Sequence, residues 1–428
     1  MNQKITQLLS LGKIPLKSQG QSMLPILHPN DIVYFKKIPF SKIKVDDLIV
    51  FKKKNQLITH RVIYKTKKYL IAKGDNNPNF DDKIYPQQIL GKVYQIKRDG
   101  QIFKPETLYL IQSTHYFSEI VKIKKKFDKK NVNYVFLKGL PLHLYFEDTH
   151  PQRLYADCDV LVDKKDFKKA QKILFSFGYQ KADTSLSSFQ KKIQDKNIEN
   201  AYWKKINDFT VVFDLHLEVV FMMTQLSKLE ALYPQKLIDE LTEEFLKTKR
   251  KIKINNENFL ILDTCYLILY LSLHLFHHNF TGAFRYQFLD KVIRKGCHPE
   301  FISGSQCKKI FNHIQNKIFE YRLQNFVYPV FFLLKKHYHS PVPHFFLKKI
   351  KPTGFINLAN FINFKNSNIF NDDPRLHAGV KRFLNLFFLS PSPFWKKILV
   401  FFNLQVVFAV LWVGWKKIKS LILLTKTP

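Results

Sequence analysis

The chain has 428 residues, enough for two or three domains with cores of their own, and its 46% hydrophobic content is ordinary for a globular protein. Lysine supplies most of a formal net charge of +35, which draws a protein toward nucleic acid or an anionic membrane. No zinc-finger, RNP or helix-turn-helix pattern accompanies that charge, so no specific nucleic-acid partner is expected and an anionic membrane surface ranks above one.

The first ninety residues hold an ordered set of blocks: Gly20-Gln21-Ser22-Met23-Leu24-Pro25, then Thr59-His60-Arg61-Val62, then Lys73-Gly74-Asp75-Asn76-Asn77 running on to Asp81-Asp82. Between the first two blocks, 31–35 and 47–51 read as short strands bounded by turn formers. Residues 61–64 and 68–72 read as a hairpin. The turn signal at 74–78 would then bring Asp81 or Asp82 back toward His60. Serine, histidine and an acid are what acyl transfer needs. A serine hydroxyl requires a general base within hydrogen-bond reach, histidine titrates near the working pH, and an acid fixes its tautomer. A last strand within 93–104, with a turn at Arg98-Asp99-Gly100, closes this domain.

These blocks, over roughly residues 12–95, resemble type I signal peptidase of the archaeal and endoplasmic-reticulum kind. The resemblance implies Ser22 as nucleophile, His60 as general base, Asp81 as the orienting acid and Asp75 as a supporting carboxylate, with no cofactor. The family's Gly-Asp turns are replaced here by Asn30-Asp31 and Asp46-Asp47. Gly20 offers no side-chain hydroxyl, so the Ser22 N–H is expected to carry the oxyanion role largely alone. The family usually has a membrane span just before the serine; residues 1–21 are too short and too polar to span, and no apolar h-region marks a cleavable signal peptide.

From Pro105 the pattern changes. Residues 108–130 have helical periodicity and end in a basic cluster. A strand at 133–137, the turn Lys138-Gly139, an apolar helix at 140–146, a strand at 156–162, an amphipathic helix at 166–178 and a strand at 209–215 follow. Strands alternating with helices argue an α/β domain. Asp157 and Asp159 are two apart in a strand, so both carboxylates share a face, which suits a divalent cation with oxygen ligands. Asp214 on a neighbouring strand would complete a site for phosphoryl or nucleotidyl transfer. Lys138-Gly139 opens a helix whose N–H groups would hold a phosphate.

Leu137-Lys138-Gly139, Arg153, Asp157-Cys158-Asp159-Val160-Leu161-Val162, Gly178-Tyr179 and Asp214-Leu215-His216 resemble, over roughly 115–300, the uncharacterised nucleotidyltransferases of the DNA polymerase β superfamily. The resemblance implies Asp157, Asp159 and Asp214 as metal ligands, with Mg2+ and a nucleoside triphosphate as cofactor and substrate. It departs at Gly139-Leu140, where the superfamily has glycine-serine and a phosphate-binding hydroxyl.

From about 225 the chain reads as helical. The apolar stretch 261–278 carries His274 and His278 on one helix face, a pair for which no third zinc ligand is marked. Residues 295–305 read as an irregular loop. Cys158, Cys265, Cys297 and Cys307 form no Cys-x-x-Cys pair, so neither a disulfide framework nor a zinc site is expected, and a reduced compartment is the default. Residues 398–415 form an apolar run flanked by lysine and tryptophan. As a helix it would be about 27 Å long, marginal for spanning and suited to a membrane interface.

The expected molecule is a multidomain α+β protein: a β-rich signal-peptidase-like domain at 1–104, an α/β nucleotidyltransferase-like domain at 105–240, and a helical C-terminal region at 241–428. The expected activity is serine endopeptidase processing of a signal or leader peptide within a peptide or preprotein substrate. The alternatives are a metal-dependent nucleotidyltransferase with a degenerate peptidase-like binding module, and a basic non-catalytic scaffold at a membrane. With no span between the domains, both are expected on one side of a membrane, associated with its cytoplasmic face.

Overall fold

The computed structural model describes residues 14–77, 79–147, 150–151, 155, 157–182, 198–206, 209–219, 222, 229–297, 304–353, 369–370, 375–404 and 407. These fall into two compact units. One runs to Tyr116 and takes in His150, Pro151, Tyr155 and Phe370; the other holds the rest.

The first unit is a seven-stranded antiparallel sheet: β1 Ile14–Lys17, β2 Ile32–Lys36, β3 Leu48–Lys53, β4 Gln56–Lys65, β5 Leu70–Lys73, β6 Ile89–Arg98 and β7 Gln101–Phe103. The order is β1-β2-β6-β3-β4-β5, with β7 beside β6. Four consecutive residues of β3 are buried, so the sheet is covered on both faces. Because side chains alternate along a strand, Leu48 and Val50 pack with Met23, Leu27 and Val33, whereas Ile49 and Phe51 pack with Ile43, Val62 and Leu70.

The turns where glycine was missed are built without it. Asn30 (φ 75°) and Asp46 (φ 74°) take the left-handed conformation that short polar side chains tolerate. The acids that follow them are buried and paired. Asp31 Oδ2 accepts from Arg98 at 2.7 Å, and Asp47 Oδ1 pairs with Lys92 at 2.6 Å.

The second unit is built on a seven-stranded mixed sheet: β8 Tyr134–Lys138, β9 Cys158–Val162, β10 Gln180–Lys181, β11 Glu199–Ile206, β12 Phe209–His216, β13 Lys249–Ile254 and β14 Glu257–Leu262. The order is β10-β11-β12-β9-β8-β14-β13, with β9/β12 and β8/β14 parallel. Helix α1 (Pro105–Lys129) begins in the first unit and continues into the second; α2 (Leu140–Glu147) and α3 (Phe167–Ser176) follow β8 and β9. Both short helices lie where the sequence put them.

Two features differ from expectation. The chain beyond 225 is not all helix: after α4 (Gln235–Lys247), β13 and β14 form an antiparallel hairpin at the sheet edge. Its turn is Asn255-Asn256, with φ 46° and 65°, the conformation that two-residue hairpin loops demand. In addition, Cys297 and Cys307 are joined as a disulfide between α6 (Ala283–Cys297) and α7 (Gly304–Glu320). The absence of a Cys-x-x-Cys motif did not exclude a bridge, because the ten-residue separation lets two successive helix ends meet.

Helix α5 (Thr264–His277) is buried almost all round, which explains its uniform apolarity: it is the central helix of the unit. Helices α6, α7 and α8 (Gln324–Tyr338) pack against it, and α9 (His344–Ile350), α10 (Arg375–Leu389) and α11 (Phe394–Ile398) follow along the chain. No helix among the described residues is long and apolar enough to cross a membrane. Of the apolar run 398–415, residues 398–404 and 407 are described. They begin with the end of α11 and a 3-10 turn, Leu399–Phe402; the remainder lies outside the described residues, as does Arg153.

Candidate active sites

His60 lies in the middle of β4, buried, opposite Ile49 of β3. Beyond β5, residues 80–84 return alongside that strand. Leu70 and Ile84 exchange backbone hydrogen bonds of 2.9 and 2.8 Å, and the Asp81 N–H donates to Ala72 O at 2.7 Å. This zipper brings the Asp81 side chain to His60, with Nδ1 and Oδ2 2.6 Å apart. On the other side of the ring, His60 Nε2 is 3.0 Å from Ser22 Oγ. If Nδ1 carries the proton and donates it to Asp81, the Nε2 lone pair is free to accept the Ser22 hydroxyl proton. Asp82 points away, largely exposed, and pairs with Lys53 at 3.1 Å.

Asp75 is not on the histidine. Arg61, next to His60 on β4, donates to it through Nε (2.7 Å) and Nη2 (2.5 Å). Arg61 Nη2 also donates to Tyr109 Oη at 2.6 Å, and the guanidinium lies over that ring at 4.8 Å. Burial opposes the charge on Arg61, but Tyr109 and Asp75 outweigh it and drive its pKa up. The loop that carries Asp75 also grips the serine turn: the Asn76 N–H donates to Ser22 O at 2.8 Å and Asn76 Nδ2 donates to Gln21 O at 3.2 Å. A Cβ on Gly74 would stand 2.5 Å from Ser22 O, so this close approach requires glycine.

In the second unit the three acids of the sequence reading meet. One oxygen from each of Asp157, Asp159 and Asp214 lies within 4.8 Å of the others, and among the described residues this is the group of three or more potential metal ligands. Asp214 of β12 stands in register with Asp159 of β9, and Asp157 precedes β9 by one residue. Lys138, at the end of β8, lies in register with Asp159 too and pairs with it at 2.8 Å and with Asp157 at 3.4 Å. Gly139 has φ 107°, and a Cβ there would lie 3.2 Å from Asp157 O, so glycine lets α2 begin hard against the acid-bearing strand.

The acids differ in charge state. Burial pushes Asp159 up, but Lys138 and His216 outweigh it and hold it at about 2. Burial pushes Asp214 up to about 7, reinforced by the charges of Asp159 and Glu199. Asp157 is raised by burial and by Asp159. An all-oxygen donor set whose members repel one another fits a hard divalent cation, which would relieve that repulsion.

His216 received no role from sequence, although it belongs to the site. Its Nε2 is 3.0 Å from Asp159 Oδ1, and the pair is buried. The signal was its spacing: two residues after Asp214 in a strand puts it on the same face. Among the described residues, no histidine belongs to a metal group of three. His274 and His278 have their Nε2 atoms 3.2 Å apart, and burial, with nearby cations, holds both neutral, well below the usual histidine range.

Residues 103–293 match the family model described as an uncharacterised nucleotidyltransferase. The chain thus contains a nucleotidyltransferase-family domain. All three acids of the cluster, Lys138 and His216 lie inside the matched stretch. No curated protein and no solved structure matches the chain.

Proposed function

We propose that the nucleotidyltransferase domain is a metal-dependent transferase acting at Asp157, Asp159 and Asp214. The observation that carries this is the convergence of those carboxylates inside the family match. The three acids would hold Mg2+, which when bound neutralises charge on the phosphates of a nucleoside triphosphate. Lys138 and His216 keep Asp159 ionised and oriented. Asp214 would take the proton of the acceptor hydroxyl as its oxygen forms a bond to the α-phosphorus and pyrophosphate leaves. The N–H groups at the start of α2 would receive phosphate oxygens, with backbone in place of the absent hydroxyl. Incubation with α-labelled triphosphates and Mg2+ tests the reading. Release of pyrophosphate by the parent and not by Asp157→Asn supports it; equal behaviour of the two contradicts it.

A second reading applies to the first unit: a serine endopeptidase of signal-peptidase type. Its support is the relay from Ser22 through His60 to Asp81, at 3.0 and 2.6 Å. Ser22 Oγ would attack the scissile carbonyl while its proton passes to His60 Nε2. That proton then goes to the departing amine, and water activated by His60 releases the acyl group from Ser22. Arg61 and Asp75 hold the loop that grips the Ser22 turn. Leader-like peptides cleaved by the parent and spared by Ser22→Ala would support this reading. No cleavage by the parent across a broad peptide set, in detergent and in lipid, would contradict it.

A further inference from the structure

Among the described residues, nine of the eighteen exposed large hydrophobic side chains fall between 384 and 404. That is too many in so short a stretch to be scattered surface residues, which are normal singly. Phe394, Trp395, Ile398, Leu399 and Phe402 follow one another at the spacing of a single helical face. Trp395 is 61% exposed, Phe402 77% and Leu404 70%. Leu384 and Phe388, one turn apart on α10, extend the patch.

The patch is held rather than loose. The ring of Phe401 meets those of Phe383 and Phe387, at 6.4 and 5.4 Å between centroids. Val400 is buried, Lys397 Nζ donates to Phe388 O at 3.3 Å, and Ser390 Oγ donates to Leu232 O at 2.5 Å. The segment therefore has an inner side packed on the unit and an outer side of bare aromatic and aliphatic groups.

The charge says what covers that outer side. From residue 374 to the C-terminus the sequence has nine lysines and arginines and no aspartate or glutamate. Lys396 lies over the Trp395 ring at 5.2 Å, so a cation and an amphipathic ring occupy the same edge of the patch. A second copy of a chain with a net charge of +35 would bring like charge to like charge. An anionic lipid surface brings the opposite charge, accepts apolar side chains into its acyl boundary, and suits tryptophan and lysine at the headgroup level.

We propose that residues 384–404 are a docking surface by which the chain lies on an anionic membrane without spanning it. Leu384, Phe388, Phe394, Trp395 and Phe402 enter the acyl boundary, and Lys396 meets the headgroups.

The test is sedimentation of the full chain with phosphatidylcholine vesicles, with and without phosphatidylserine. The parent is compared with the triple variant Phe394→Ser/Trp395→Ser/Phe402→Ser. The substituted side chains are exposed, and a melting curve verifies that the variant is folded. The parent should bind the phosphatidylserine vesicles, bind them less at high salt, and bind plain phosphatidylcholine weakly. The triple variant should bind at least roughly tenfold more weakly. Equal binding by parent and variant overturns the proposal, as does no binding by the parent. A parent that fails to bind vesicles but is a dimer in solution, converted to monomer by the triple variant, assigns the patch to a second copy instead.

Discussion

Asp81 and Asp82 are sequence neighbours, yet only one reaches the histidine. The zipper between β5 and residues 80–84 turns Asp81 inward to His60, and Asp82 is left to pair with Lys53 at the surface. If the first unit is a peptidase, Asp81→Asn should lower kcat by roughly 10³ to 10⁴ with KM little changed, because the neutral amide fixes the wrong histidine tautomer. Asp82→Asn should leave kcat within about twofold, as expected of a mostly exposed ion pair. Asp214 gives a stability prediction. Its folded pKa of about 7 lies above the ordinary carboxylate value, so between these the folded state binds more protons than the unfolded state. Stability of the metal-free protein should therefore fall as pH rises from about 4 toward 7. Asp214→Asn should remove much of that fall, raising Tm at pH 8 and changing it little at pH 4. Thermal melts in chelator check this; an Asn variant less stable than the parent at pH 8 would mean that Asp214 is held by partners that offset its burial.

At the scale of elements, the sequence was most legible where turn chemistry and strand period coincide. The blocks around Ser22, His60 and Gly74 announced a turn, a strand and a turn, and the sheet assembles them. The choice between Asp81 and Asp82 was not legible, because it depends on a pairing between β5 and residues 80–84 that has no local signature. The hairpin of β13 and β14 had a signature that was missed: Ile252 and Ile254 alternate with lysines and run into Asn255-Asn256, but charged residues hid the short strand. In the second unit Asp157 and Asp159 were legible from their spacing and Asp214 from its place in a later strand and the family resemblance, whereas the service of His216 to Asp159 needed the parallel register of β9 and β12. The turn around Gly74 makes a prediction at this scale. In Gly74→Ala the new methyl must displace Ser22 O, so, if the first unit is a peptidase, turnover at Ser22 should fall by more than roughly tenfold while the fold survives. Peptide turnover and circular dichroism on the same sample check it. Unchanged turnover would show that the loop does not position the serine.

At the scale of the whole molecule, the residues of each site belong to one unit. Ser22, His60 and Asp81 lie in the first, and Asp157, Asp159 and Asp214 in the second. If both proposed chemistries operate, they should therefore be separable. Ser22→Ala should leave triphosphate turnover intact, and Asp157→Asn should leave peptide cleavage intact. Parallel assays of both variants decide this, and loss of both activities in either one would contradict it. The most direct measurement is calorimetric titration of nucleoside triphosphates into the full chain, with Mg2+ and then with chelator. The account predicts Mg2+-dependent binding to the parent and to Ser22→Ala, lost in chelator and in Asp157→Asn. Absence of binding by the parent with Mg2+, or undiminished binding by Asp157→Asn, would contradict the assignment of the three acids as a nucleotidyltransferase centre.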